Sequence, residues 1–103
     1  VSWDQVLDGK NRDFLLLDVR EKYEVEAGHL AGAVHIPLNA LRQRLHELPK
    51  DQEIVVYCQV GLRAYIGTRI LQQNGFKVSN LSGGWKTIKP ILEDRKASTL
   101  ILE

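Results

Sequence analysis

The chain carries one cysteine, Cys58, at the head of the string Cys58-Gln59-Val60-Gly61-Leu62-Arg63. Before it lies the apolar run Ile54-Val55-Val56-Tyr57, which reads as a buried strand. After it, Ala64, Ile66, Gly67, Ile70 and Leu71 are expected on one face of a helix. A strand, a tight loop and a helix start therefore bracket a sulfur at a strand's carboxyl end. In open α/β sheets that edge binds ligands. Loop N–H groups and a helix N-terminus there favour an anion, and a thiolate is an anion. A lone cysteine is more often inert packing than a nucleophile. Here Gly61 and a basic residue follow the strand end, a poor place to hide a side chain, and such surroundings favour the reactive thiolate.

The elements that must hold this sulfur alternate along the chain. Val1-Ser2-Trp3-Asp4 reads as an edge strand entering a helix, with Ser2 or Asp4 as cap and Val6-Leu7 turned inward. Phe14-Leu15-Leu16-Leu17 is a buried strand ending at Asp18-Val19-Arg20-Glu21, and Tyr23 to Ala27 forms a short helix before Gly28. Ala33-Val34-His35-Ile36 is a further strand, closed by Pro37. Leu38, Leu41, Leu45 and Leu48 carry a helical stripe stopped by Pro49. The strand before Cys58 and the helix after it follow, the helix ending at a left-handed cap on Asn74-Gly75. Lys77 to Leu81 is the fifth strand, and Ser82-Gly83-Gly84 turns into a last helix from Trp85 onward. Such alternation predicts a parallel sheet with helices on both faces.

Composition sets the outer bounds. The 103 residues suit one domain, 1–103, with ordinary hydrophobic (44%) and charged (26%) fractions. A formal charge of +1 implies no bulk attraction to nucleic acid or membrane. No apolar stretch approaches the ~20 residues that span a bilayer, and no signal-peptide pattern opens the chain. A single cysteine forms no internal disulfide, which suits a reducing, cytoplasmic setting. No metal is expected, because His29, His35 and His46 lack ligand spacing. Methionine is absent even at position 1, so processing or excision from a longer protein is expected. Residues 93–103 are polar and then apolar, and read as a tail without assigned function, its closing Leu-Glu open to a vector origin.

Four further strings accompany the cysteine loop: Asp18-Val19-Arg20-Glu21, Gly28 to Pro37, Gly75-Phe76, and Leu81-Ser82-Gly83-Gly84-Trp85. In their order and spacing they resemble a rhodanese (sulfurtransferase) domain along nearly the whole chain. The resemblance implies a rhodanese-like α/β fold, a five-stranded parallel sheet flanked by helices. It also implies that Cys58 accepts a sulfane sulfur as a persulfide and passes it to a nucleophilic acceptor such as a thiol. Gln59, Val60, Gly61, Leu62 and Arg63 are then the substrate-binding residues. Their backbone N–H groups would hold both thiolate and persulfide anions. Gly61 suits a positive φ or close backbone approach, and Arg63 would fix the loop or meet an anionic donor with its planar fork.

Two details narrow this chemistry. The six residues from Cys58 to Arg63 match the sulfurtransferase loop, whereas the related dual-specificity phosphatases use a loop one residue longer. Phosphate chemistry is therefore disfavoured. A basic residue follows the cysteine in many members with thiosulfate activity, but here Gln59 stands there. The expected donors are accordingly a persulfide, a polysulfide or a protein-bound sulfur, with thiosulfate weaker.

A finer resemblance runs from Cys58 through Ile66 and on to Arg69-Ile70-Leu71. It is to rhodanese domains fused behind flavin-dependent CoA-disulfide reductases, and it implies sulfur exchange with a reductase domain of the same parent chain. FAD and CoA would belong to that parent. This domain would hold no cofactor, since it has no GxGxxG after a strand. The other function class is a binding module whose Cys58 is vestigial or redox-sensing.

The remaining motif residues have structural readings. Asp18 and Arg20 are expected in ion pairs with Glu21, Glu24 or Glu26. His29 reads as a hydrogen-bonded turn residue, and His35 and His46 as structural or solvated. Gly83-Gly84 reads as a tight turn, and Trp3 and Trp85 as core or rim aromatics.

Overall fold

Two neighbouring strands split their side chains between two cores, as the period-two pleat requires. The first is β1 (Phe14–Asp18) and the other, β4 (Glu53–Tyr57), directly precedes the cysteine. On one face Leu17, Ile54, Val56 and Cys58 pack with Leu41, Ala64, Ile70 and Leu71. On the opposite face Leu16, Val55 and Tyr57 pack with Leu30, Leu81, Trp85 and Ile88. The computed structural model describes residues 13–81, 83–95 and 100–101.

In the described residues, β3 (Val34–His35), β1, β4 and β5 (Val78–Asn80) form one parallel sheet in that order. The expected edge strand at Val1–Asp4, like Trp3 and Val6-Leu7, lies outside the described residues. Helix α1 (Lys22–Glu26) follows β1, α2 (Leu62–Gln73) follows the cysteine, and α3 (Gly84–Arg95) follows β5. The chain leaves β1 toward β3 on one side and returns through β4 toward β5 on the other. The order therefore reverses between β1 and β4, where doubly wound sheets open a ligand crevice. Cys58 stands at that point.

Several local expectations change. Leu38–Glu47 winds as 3₁₀ turns broken at Arg44, not as the expected helix. Pro37 begins it without a capping side chain, and Arg44, at φ −116° and ψ 17°, interrupts the winding. Ile66 faces solvent at 40% exposed, because at about 100° per residue it lies opposite the Ala64, Gly67 and Leu71 stripe. His29 belongs to a short strand, β2 (His29–Leu30), paired antiparallel with β6 (Leu100–Ile101). The expected tail 93–103 thus supplies the end of α3 and that strand.

The end of α2 behaves as expected. The Gly75 N–H donates to the Gln72 carbonyl at 3.2 Å and the Phe76 N–H to the Leu71 carbonyl at 3.1 Å, a Schellman closure. Phe76 turns back into the core beside Leu71. Among the described residues no helix is long and apolar enough to cross a membrane.

Candidate active site

The cysteine side chain is fully buried, yet its sulfur is not in a purely apolar environment. Sγ accepts the Gly61 N–H at 3.0 Å and the Ala64 N–H at 3.2 Å. Among the described residues these two are its hydrogen-bond donors. Ala64 lies one residue beyond the expected set Gln59 to Arg63, in the first turn of α2, where N–H groups have no helical acceptor. The helix thus spends one of its free donors on the sulfur. Two N–H dipoles thus converge on Sγ.

Gly61 makes this geometry. It precedes α2 with φ +120° and ψ −25°, a conformation L side chains rarely adopt. An added Cβ would meet nothing within 4 Å, so the demand there is conformational and not steric. Val60 and Leu62 on either side point their side chains outward, at 60% and 67% exposed.

The loop's carbonyls face a different partner. The Cys58 carbonyl accepts the Trp85 N–H at 2.7 Å and the Gln59 carbonyl accepts the Lys86 N–H at 2.9 Å. Both donors lie in the first turn of α3, so two of the loop's carbonyls dock on that helix while the Gly61 N–H serves the sulfur. Gly84 permits this docking. A Cβ there would overlap the Cys58 carbonyl oxygen and lie 2.7 Å from that of Gln59, and φ is +62°. The Gly83-Gly84 turn is thus also a seat for the cysteine loop. We expect Gly84→Ala to cost roughly 2–5 kcal/mol, combining a left-handed backbone penalty with overpacking. Urea denaturation measures it; a change within about 0.5 kcal/mol would remove Gly84 from this role.

Charges flank the loop in two paired sets. Arg20 and Asp18, both 1% exposed, bind each other and not the expected glutamates. Residues i and i+2 of an extended chain share a face, which puts the two side chains together. Arg20 Nη2 donates to Asp18 Oδ2 at 2.8 Å and also to the Gly28 carbonyl at 2.8 Å. Its guanidinium lies 4.9 Å from the Trp85 ring centroid and 5.6 Å from that of Tyr57, so it ties β1, β4 and α3 together. The Tyr57 oxygen accepts the Leu30 N–H at 3.2 Å, and burial, then the Asp18 charge, push its phenol well above the ordinary range.

Arg63 makes the second pair. Its Nη1 and Nη2 donate to the two carboxylate oxygens of Glu24 at 2.6 and 2.9 Å, joining the loop to α1. Arg63, then a backbone bond at Glu21, overcome desolvation and hold the Glu24 carboxyl at about 2, below its ordinary 4.5. A depressed carboxyl pKa stabilises the fold above the unfolded value. That contribution is therefore complete at neutral pH and is lost only as pH falls from about 4.5 toward 2.

The histidines stay outside this centre. His35 Nε2 lies 2.7 Å from the Arg20 carbonyl and His29 Nδ1 3.0 Å from the Leu30 carbonyl. His46 lines a separate surface hollow with Lys50 and Phe76. Beside the loop, a cleft of about 410 Å³ is lined by Arg20, Tyr23, Glu24, Ala27, Gln59, Trp85 and Lys89. The arrangement provides a recessed thiol, two N–H donors on its sulfur, and an adjoining cleft.

A family model described as a rhodanese-like domain matches residues 2–90. The Bacillus subtilis protein YqhL is 43% identical over 72 residues, 69% of this chain and 57% of its own length. A sulfurtransferase of Allochromatium vinosum is 38% identical over 73 residues, 70% of this chain and 68% of the relative. The crystal structure of reduced Bacillus anthracis CoADR-RHD is similar with a TM-score of 0.81 and 39% identity, over 92% of this chain and 17% of that one.

Proposed function

Because this chain belongs to the rhodanese-like domain family, we propose that it is a sulfurtransferase carrying sulfane sulfur on Cys58. The observation that carries the reading is the pair of N–H donors, from Gly61 and Ala64, on Cys58 Sγ. Likeness to the Allochromatium vinosum sulfurtransferase supports the reaction class.

The reaction runs in two displacements. The Cys58 thiolate attacks the terminal sulfur of a persulfide or polysulfide donor, a new S–S bond forms, and the donor's S–S bond breaks. Its electron pair leaves with the donor as a thiolate or shorter polysulfide. Cys58 then bears a persulfide anion, whose charge sits one atom beyond Sγ among the remaining loop amides of Gln59 to Arg63. An acceptor thiolate attacks that outer sulfur, forms its own persulfide, and returns Cys58 to the thiolate. No external oxidant or reductant enters. Both displacements begin from a thiolate, and the N–H donors on the sulfur stabilise negative charge developing there.

Loading the protein with polysulfide, removing the excess and adding a thiol tests this reading. The acceptor persulfide, trapped by alkylation, should appear in proportion to loaded protein; its absence would leave the domain a binding module. Gln59 adds a preference. A neutral side chain there gives a thiosulfate dianion little attraction, so kcat/KM for thiosulfate should lie at least about tenfold below that for polysulfide. Comparable values would contradict the preference.

The likeness to CoADR-RHD supports a parent in which the domain adjoins a flavin-dependent reductase. FAD and CoA enter only with that parent, and sulfur would pass between its reductase and Cys58. A parent reading frame with no reductase ahead of this domain would overturn that placement.

A further inference from the structure

We infer that Glu24 selects among sulfur donors, excluding those with an oxyanion end by occupying both arms of the Arg63 fork. The inference rests on the sulfurtransferase reading and deepens it. Arg63 closes the cysteine loop, and a guanidinium fork is the natural receptor for paired oxygens such as those of thiosulfate's sulfonate end. Here those two end nitrogens already serve a carboxylate, at 2.6 and 2.9 Å.

Glu24 is itself fixed. Its Oε1 accepts the Glu21 N–H at 3.0 Å in a capping box, so the carboxylate is held by its own helix before it meets Arg63. The pair is largely shielded, with Glu24 14% and Arg63 31% exposed. A donor's oxygens would have to displace a bidentate, preorganised partner. The cleft gives them little else. Arg20 is committed to Asp18 and Gln59 is neutral. Among the described residues, Lys89 is the one cation lining the cleft outside such an ion pair. Polysulfide and persulfide chains carry no oxygens at the reacting end and lose nothing by this arrangement.

Glu24→Gln is the discriminating change. The amide oxygen keeps an acceptor for the Glu21 N–H while the charge that neutralises Arg63 disappears. The ratio of kcat/KM for thiosulfate to that for polysulfide should rise roughly tenfold, and the thiosulfate rate should gain salt sensitivity. Taking the ratio within each variant cancels any loss of folded protein. Adding Arg63→Met to Glu24→Gln should return the ratio to its starting value. Arg63→Met alone should lower both donors in the same proportion, because its fork is already engaged in the parent chain. A ratio unmoved by Glu24→Gln overturns the inference, as does a selective loss of thiosulfate use in Arg63→Met. A parent chain that transfers sulfur from neither donor overturns instead the sulfurtransferase reading.

Discussion

Cys58→Ser is expected to lower sulfur transfer at least about 1000-fold and to leave the protein unable to take up sulfur from polysulfide. A serine hydroxyl is a far weaker nucleophile at neutral pH and forms no stable sulfur adduct. The fold should survive, because serine is nearly isosteric. Its oxygen can also accept the Gly61 and Ala64 N–H groups that now serve Sγ. Turnover with polysulfide and a thiol acceptor measures the loss, and a urea melt measures the retained fold. Residual transfer within tenfold of the parent chain would show that the sulfur passes elsewhere. Loss of the fold would show Cys58 to be packing.

The second large effect falls on stability. Asp18→Ala strands the Arg20 guanidinium, 1% exposed, without its carboxylate. Breaking one side of a buried pair costs about 3–5 kcal/mol, most of it from the uncompensated charge. Arg20 would retain the Gly28 carbonyl and the Trp85 and Tyr57 rings, none of which carries a negative charge. The damage should also reach the sulfur. Trp85 supplies both a ring to Arg20 and an N–H to the Cys58 carbonyl, so a loosened Arg20 loosens the seat of the loop. Replacing both partners together by apolar residues should cost less than the sum of the single changes. Urea denaturation of the two singles and the double gives the coupling directly. A cost below about 1 kcal/mol for Asp18→Ala would mean that solvent reaches this pair.

The sulfur's immediate surroundings were legible from local pattern. A continuous apolar strand, a glycine and a helical stripe place Cys58 at the sheet's carboxyl edge, and the structure puts it at the reversal between β1 and β4. Gly61 was legible for the same reason, since one position in the loop must leave ordinary φ values. The Schellman closure at Asn74-Gly75-Phe76 is written in three adjacent residues.

Less legible were contacts between distant segments. Glu24 and Arg63 meet across 39 positions, and nothing in either local string marks the other as its partner. Asp18 and Arg20 were expected to use neighbouring glutamates, but strand geometry put them on one face and burial made pairing obligatory. Gly84 was read as a turn because its closeness to the loop carbonyls depends on how α3 docks. The Leu38–Leu48 stripe named the inward face but not the winding, since leucines at this spacing serve a 3₁₀ segment or an α-helix. Ile66 leaves the buried stripe because, at about 100° per residue, it lies on the far side of α2 from Ala64.

The central claim, that sulfur is carried on Cys58, whose Sγ accepts the Gly61 and Ala64 N–H groups, is tested most directly by mass spectrometry of the intact protein. Polysulfide treatment followed by desalting should add sulfur to Cys58 alone, and a thiol should discharge it completely. Site mapping after alkylation identifies the residue. A protein whose mass stays unchanged while Cys58 remains free to react with an alkylating agent would contradict the account.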